Sequence, residues 1–464
     1  MSGSVWLPPG ARLDTLPAVP RRRTAPGWAA PDPIDELADR LEDFVAAAVH
    51  PDEIAALLES DGMSDDRIRT AYGVKDSFAL AEELYVRVDR RHPEPEGPVH
   101  DPWQIGLLGC LVRGVVFALP GLAYVLLSTA TLPLLAAALT GWTWNQGLSH
   151  RAYAWLGLGD RTAARRCLLI GAPVGALLGA LSALAVTGPT DPGALAFATG
   201  QSLYLGAATV LLVMGRERAL LAALLPMAAG AAVTPVLHIP PLLRYALLLG
   251  SLLAVVTLAA CPQGRGELRE RPRRTGSRPP VMGPPLPASF PYALFGLGSG
   301  ILVLDTALKS APGAVALTLS MGAAEWLLYR FRSAGLAELR STGTPGAFRR
   351  ATALMVARCL TCYLAVLTAL ALAGAALWPA SPHLAGPRLT GLLLLGVVVW
   401  TGLLLQSFGA ILSAAAVTCA AALAHTLLLL RGAPEWTGPA VYGVAAAVQV
   451  ALVCALLGRA TAHR

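Results

Sequence analysis

After residue 102 the chain is a succession of long apolar runs, separated by clusters of charged residues or by Pro and Gly. Crossing a bilayer takes roughly 17–25 predominantly apolar residues in a helix. Runs of that kind fall at 103–120, 122–141, 167–187, 193–214, 217–237 and 241–261. A second set falls at 290–308, 313–329, 351–377, 389–406, 408–430 and 438–457. The pattern predicts an all-α polytopic membrane protein of about twelve transmembrane helices. The dividers are thin in two places, Pro120-Gly121 and Gln406-Ser407-Phe408-Gly409.

Ahead of these runs the spacing changes. Residues 34–91 carry short amphipathic stretches that predict three or four helices. Asp32-Pro33 opens the first, with Ile34, Leu37, Leu41, Phe44 and Val45 as its apolar positions. His50-Pro51-Asp52 opens a second through Leu57 and Leu58. Ser64-Asp65-Asp66 is an N-cap signal before Ile68, and Asp76-Ser77 opens a last helix through Phe78, Leu80, Leu84 and Val88. Residues 1–33, rich in Pro and Arg and without the apolar stretch of a secretory signal, read as a disordered tail. The expected organisation is this tail, a helical domain over 34–91, six-helix membrane bundles over 102–261 and 290–458, a connector over 262–289 between them, and a short tail over 459–464.

Charge sharpens the division. The chain is 55% hydrophobic and 14% charged, against about 25% charged in a typical soluble domain. Residues 32–90 hold 16 acidic and 6 basic side chains, whereas 91–464 hold 12 acidic and 26 basic. The front domain superficially has the helix–turn–helix order, but its acidity excludes contact with nucleic acid, which needs a basic face. Protein contact is the expectation for residues 34–91, with the arginine-rich loops of the same chain or with a cytoplasmic partner. Arginine also sets the direction of the spans, because positively charged loops stay cytoplasmic. One side collects 19 arginines, among them Arg151, Arg161, Arg165, Arg166, Arg349, Arg350 and the six of the connector. The other side has Arg244, Lys309, Arg388 and Arg431. Both termini are expected in the cytoplasm, and the protein in the cell membrane.

A shift of 184 residues lays Trp142 on Trp326, Ser149 on Ser333, Gly159 on Gly343, Ala163 on Ala347, Arg165 on Arg349 and Arg166 on Arg350. In each set of six, the long basic loop follows the second helix. Two such sets with the same in/out sense would form a parallel repeat about an axis along the membrane normal, an arrangement that places a substrate cavity between halves. This 6+6 pattern, the basic connector and the stretch Leu156-Gly157-Leu158-Gly159-Asp160-Arg161-Thr162-Ala163-Ala164-Arg165-Arg166 resemble the multidrug/oligosaccharidyl-lipid/polysaccharide exporter superfamily. In that resemblance the stretch corresponds to a short amphipathic loop after the second helix. The resemblance implies alternating access by two rocking bundles, with a lipid-linked saccharide, a polysaccharide or an amphipathic small molecule as cargo. The acidic domain departs from the family pattern.

Charges at bilayer depth are costly, by roughly 2.5–3.5 kcal/mol for a central Arg, Lys or Asp, and so mark candidate sites. Arg113 lies in the middle of the first span, too deep to snorkel easily, and would either face a cavity or bind helix to helix. Arg358 in the ninth span and Gln201 in the fourth join it as substrate-cavity candidates; a cationic cavity fits an anionic, lipid-linked cargo. Asp305 and Lys309, four apart, are placed to pair on one helix face. Glu325 is expected in an interfacial salt bridge near Arg330. Asp305, Lys309 and Glu325 are the candidates for ion coupling. Asn145, Gln406, Gln449 and His425 read as interhelical hydrogen-bonding groups. Gly171, Gly175 and Gly179 predict a close-packing face; Gly296, Gly298 and Gly300 in the seventh helix would either pack closely in the same way or loosen the helix as a hinge. The seven cysteines, including the Cys359-x-x-Cys362 pair, read as small apolar residues, and neither a metal site nor a cofactor is expected. No nucleotide-binding loop or hydrolase motif is present, so an enzyme is not expected. The alternative to a transporter is a membrane scaffold or sensor that recruits a partner through its acidic domain.

Overall fold

In the computed structural model, described residues are 32–89, 91, 106–123, 131–188, 191–234, 237–261, 283–342, 344–377, 386–459 and 462. The tail expected over 1–31 and most of the connector, 262–282, lie outside them. The chain divides into two compact units, 1–100 and 101–464. Among the described residues both are helical and without strands.

The first unit has five helices: α1 (Pro33–Arg40), α2 (Glu42–Ala47), α3 (Pro51–Ser60), α4 (Asp65–Tyr72) and α5 (Ser77–Arg87). Side-chain caps start three of them. Asp32 accepts from the Ile34 amide, His50 Nδ1 from Asp52 and Asp76 from Ala79. Ser64 occupies the N-cap of α4 without making a side-chain bond. Gly73, with φ of 70°, closes α4 in the left-handed region. The first expected helix is two, because the backbone departs from helical geometry at Leu41. Leu37, Ile54, Leu58, Ile68, Leu80 and Leu84 form the core. Phe44 and Phe78, apolar positions of the same stretches, are exposed; each lies on the face of a short helix turned away from that core. Arg87 ties the two ends of the unit together, reaching Asp32 at 2.6 Å and Asp35 at 2.9 Å from α5.

The second unit contains α6 (Leu107–Ala118), α7 (Thr131–Gly157), α8 (Arg161–Thr187), α9 (Pro192–Val213), α10 (Glu217–Val233) and α11 (Pro241–Ala260). Then come α12 (Phe290–Lys309), α13 (Ala311–Ser341), α14 (Pro345–Leu377), α15 (Pro387–Ser407), α16 (Ile411–Leu430) and α17 (Thr437–Leu457). Nine helices among the described residues are long and apolar enough to cross a membrane, which makes this an all-α, multi-pass membrane architecture. The other three are α6 and α10, of 12 and 17 residues, and α7, whose second half is polar.

The expected second span at 122–141 lies partly outside the described residues. Among those described, the helix occupies Thr131–Gly157, so Arg151 is helical rather than in a loop. Likewise α13 continues to Ser341, and α8 and α14 start six residues before their expected spans. Hydropathy marks where a helix leaves apolar surroundings, while the helix itself stops only at a breaker. Here that breaker is the turn at Gly159, with φ of 77°, and Asp160, which caps Ala163 at 2.7 Å. The expected amphipathic loop over 156–166 is therefore a tight turn followed by the first turns of α8. The same shift of 184 residues carries the end of α7 onto the end of α13 and the start of α8 onto the start of α14.

Glycines decide which helices meet. Gly171 and Gly175 of α8 receive Leu148 and Trp144 of α7, and Gly179 receives Ser202 of α9. Trp144 Nε1 donates to the Gly171 carbonyl at 2.8 Å. In α12, Gly296 and Gly300 face α7, while Gly298 lies against the backbone of α16. A close crossing also joins α6 to α13. A Cβ on Gly114 would lie 2.7 Å from the Leu319 carbonyl oxygen, and one on Gly322 would lie 2.5 Å from that of Cys110. The first helix of each set thus packs on the second helix of the other, α6 on α13 and α12 on α7.

Candidate functional site

The glycine crossing of α6 and α13 carries the first charge cluster. Arg113 precedes Gly114, and Glu325 follows Gly322 by three residues on α13. Backbone contact at the glycines brings the two side chains together: Arg113 binds Glu325 through one terminal nitrogen. Its Nε reaches Glu217 at 2.5 Å. Tyr329, one turn beyond Glu325, donates to the same carboxylate oxygen at 3.1 Å. One guanidinium is held between two carboxylates from α10 and α13, with all three side chains about three-quarters buried. At that depth a lone arginine is costly, and removing either carboxylate leaves an incompletely paired charge.

The expected pairing of Glu325 near Arg330 is not formed. A residue five positions on is turned off the Glu325 face, whereas Tyr329, four on, lies along it. Arg330 instead sits 5.5 Å from the centre of the Trp326 ring. Glu217 was not expected in any site. An acid in the first turn of a helix reads as a complement to the helix dipole, and nothing local points to a partner 104 residues earlier.

The second cluster lies among α12, α16 and α17. Asp305 Oδ2 meets Lys309 Nζ at 2.8 Å and His425 Nε2 at 2.9 Å. The Tyr442 hydroxyl is 3.4 Å from both Asp305 and His425. His425 is 2% exposed, and its Nδ1 has no hydrogen-bond partner among the described residues. These residues line a cavity of about 150 Å³, which the Arg388–Glu435 pair also borders. A carboxylate, an imidazole, a phenol and an ammonium in mutual contact form a group whose hydrogen bonds depend on where its protons sit. Among the described residues, no three of His, Cys, Asp and Glu gather as a metal-ligand set.

The remaining candidates separate. Arg358 is exposed on α14 and makes no hydrogen bond or ion pair among the described residues. Gln201 donates from α9 to the Leu134 carbonyl of α7 at 3.3 Å, a helix-to-helix contact. Gln449 accepts from Thr401 at 2.7 Å in the same manner. A larger cavity of about 930 Å³ lies between α7, α8 and α12, and neither Arg113 nor Arg358 lines it. Compared with models of known protein families, with curated proteins and with solved structures, the chain finds no match in any of the three.

Proposed function

We propose that the protein is a membrane transporter or flippase working by alternating access of two six-helix halves, α6–α11 and α12–α17. The observation that carries this reading is the Arg113–Glu217–Glu325 cluster. Two of its members belong to the first half and one to the second, so it is an ionic latch across a seam where the backbones of α6 and α13 approach closely at Gly114 and Gly322. Rocking of one half against the other separates Arg113 from Glu325 while leaving Arg113–Glu217 intact. The reciprocal packing of α6 on α13 and α12 on α7 supports a repeat about an axis between them. The Asp305–His425–Tyr442–Lys309 cluster lies wholly in the second half and suits coupling to protons, since its contacts change with protonation. The resemblance to the exporter superfamily points to a lipid-linked saccharide, a polysaccharide or another amphipathic molecule as cargo. In this reading the protein sits in the cell membrane with both termini cytoplasmic, as the arginine distribution requires.

The test is the distance between spin labels placed on the ends of α8 and α14, at Arg161 and Arg350, in the purified protein in lipid nanodiscs. Glu325→Gln weakens the latch and is expected to add or enlarge a second distance population. A single unchanged distance in the parent, in Glu325→Gln and in Arg113→Gln would exclude a rocking pair of halves. The self-contained acidic unit over 32–91 favours a second reading, a scaffold that recruits a protein partner, and it is this reading that an immobile membrane unit would leave standing.

A further inference from the structure

The cavity of about 930 Å³ between α7, α8 and α12 is amphipathic along its length. Ile170, Val174 and Leu178 line one wall from α8, and Phe290 and Leu297 line the other from α12. Ile170 and Phe290 are 71% and 63% exposed, so the groove opens sideways to whatever surrounds the helices. From Arg166 to Leu178 it follows α8 for about 18 Å at 1.5 Å per residue. One end is cationic: Arg151 and Arg166 both line it, beside Trp155. Arg151 spends one nitrogen on the Pro284 carbonyl at 2.9 Å and keeps further donors. Arg166 is exposed and makes no hydrogen bond or ion pair among the described residues. The one acid nearby in sequence, Asp160, caps α8. Tryptophan beside arginine is the signature of the headgroup level of a bilayer.

The geometry points to a resident anionic phospholipid in this groove, with its phosphodiester between Arg151 and Arg166 and a hydrocarbon chain along α8 and α12. Hydrocarbon gains little by leaving the bilayer for a protein groove, since both are apolar. Selection therefore rests on the headgroup, where two guanidinium groups prefer a lipid with net negative charge over a zwitterionic one. The assignment does not rest on the transport reading: the groove and its two arginines are present between α7, α8 and α12 in this structure, and the lipid preference is measured without any transport assay.

Native mass spectrometry of the full-length protein, relipidated with equal amounts of phosphatidylglycerol and phosphatidylcholine, measures the preference directly. Phosphatidylglycerol should be retained in excess. Arg166→Gln should cut that excess about fivefold, the effect of roughly one surface arginine on an anionic lipid. Arg350→Gln, at the position related by the shift of 184 and exposed on α14, should leave it unchanged. Ile170→Trp, which fills the groove while keeping both arginines, should lower retention of both lipids. Should Arg166→Gln fail to fold, chain-brominated phosphatidylglycerol should quench the parent protein more than the brominated phosphatidylcholine does, and replacing both Trp144 and Trp155, which line the groove, with Phe should remove the difference. Equal retention of the two lipids by the parent, or equal losses in Arg166→Gln and Arg350→Gln, overturns the assignment, as does equal quenching by the two brominated lipids.

Discussion

The two sets of six helices, α6–α11 and α12–α17, share their order, their central turn and the arginines beside it, yet none of the charge deeper in their apolar runs. The shift that carries the α7–α8 turn onto the α13–α14 turn places Glu325 opposite Gly141, Asp305 opposite Gly121 and Arg113 opposite Leu297. Glycine and leucine stand where the other set has an ionisable group. The shared part is the helix order and a breaker between the second and third helices; both crossings are made at glycines, but not at positions that the shift relates. The unshared part is the chemistry. In the proposed two-half reading the frame supplies a seam and the charges are placed once each, with Arg113 in one set and Glu325 in the other. The Asp305 cluster has no counterpart at all in the first set.

The comparison breaks most severely at the crossing itself. Gly322→Val puts a branched side chain where even a Cβ would sit 2.5 Å from a carbonyl oxygen. Overpacking of this kind costs about 3 kcal/mol or more, and here backbone rather than a flexible side chain must yield. The expected outcome, read by thermal unfolding in detergent and by recovery of monodisperse protein, is a large loss of stability. Gly250→Val, at a glycine with open space around its Cβ position, is the control and should cost about 1 kcal/mol or less.

The latch comes next. Glu325→Ala leaves Arg113 with one carboxylate instead of two. A fully buried pair broken in this way costs about 3–5 kcal/mol; with roughly a quarter of each side chain exposed, about 2 kcal/mol is expected. Arg113→Ala should cost a similar amount, and the double variant should cost less than the sum of the two, because each single change strands the other's charge. Additive losses would mean that the two side chains do not support each other.

How much of this was legible follows from the kind of signal each feature leaves. The apolar runs and the acidic front domain were plain, because composition over many residues records burial in a bilayer or exposure to water. Arg113, Asp305 and Glu325 stood out because an ionisable group in an apolar run needs a reason. Lys309 was legible beside Asp305, four residues along one face, but the distant partners were not. Glu217 looked like ordinary helix-start chemistry, and His425 like any polar group in a span. Pairings over more than a hundred residues, such as Arg113 with Glu217 or Asp305 with His425, leave no local periodicity to read. Helix ends were misplaced in one consistent direction, since α7, α8, α13 and α14 project beyond their apolar runs. Phe44 and Phe78 belong to the apolar positions of their stretches yet face outward, because a helix of only a few turns has one face to bury.

Inside the second set, the Asp305 cluster should respond more weakly than the latch. Asp305→Asn keeps the shape but removes the charge that Lys309 and His425 share. A hydrogen bond to a charged group contributes about 1.5–3 kcal/mol, and Lys309, nearly half exposed, can turn to solvent. A loss of about 1–2 kcal/mol is expected in thermal unfolding, with Lys309→Ala costing about 0.5 kcal/mol. If Lys309→Ala proves the more damaging of the two, His425 is not the main partner of Asp305.

The smallest effect belongs to the acidic front unit, whose charges meet water instead of each other across a seam. There the hydrogen bond from Arg87 holds the Asp32 carboxyl below its ordinary value, helped by the Ile34 amide that it caps. A carboxyl depressed in the folded state adds stability only where its unfolded counterpart is ionised, above roughly pH 4. That contribution fades as the pH falls further, through the folded-state value. Asp32 is 42% exposed, so solvent screening keeps the contribution under about 1 kcal/mol. A fragment spanning 32–91 should therefore lose stability between pH 5 and pH 3 in urea titrations, and Asp32→Asn should lose less over the same interval. Identical slopes in the two proteins would show that Arg87 contributes through its bonds to Asp35 and Glu83 rather than through Asp32. High salt should shrink the difference between them, as it does for surface pairs, while the latch between the membrane halves, largely shielded from solvent ions, should respond far less.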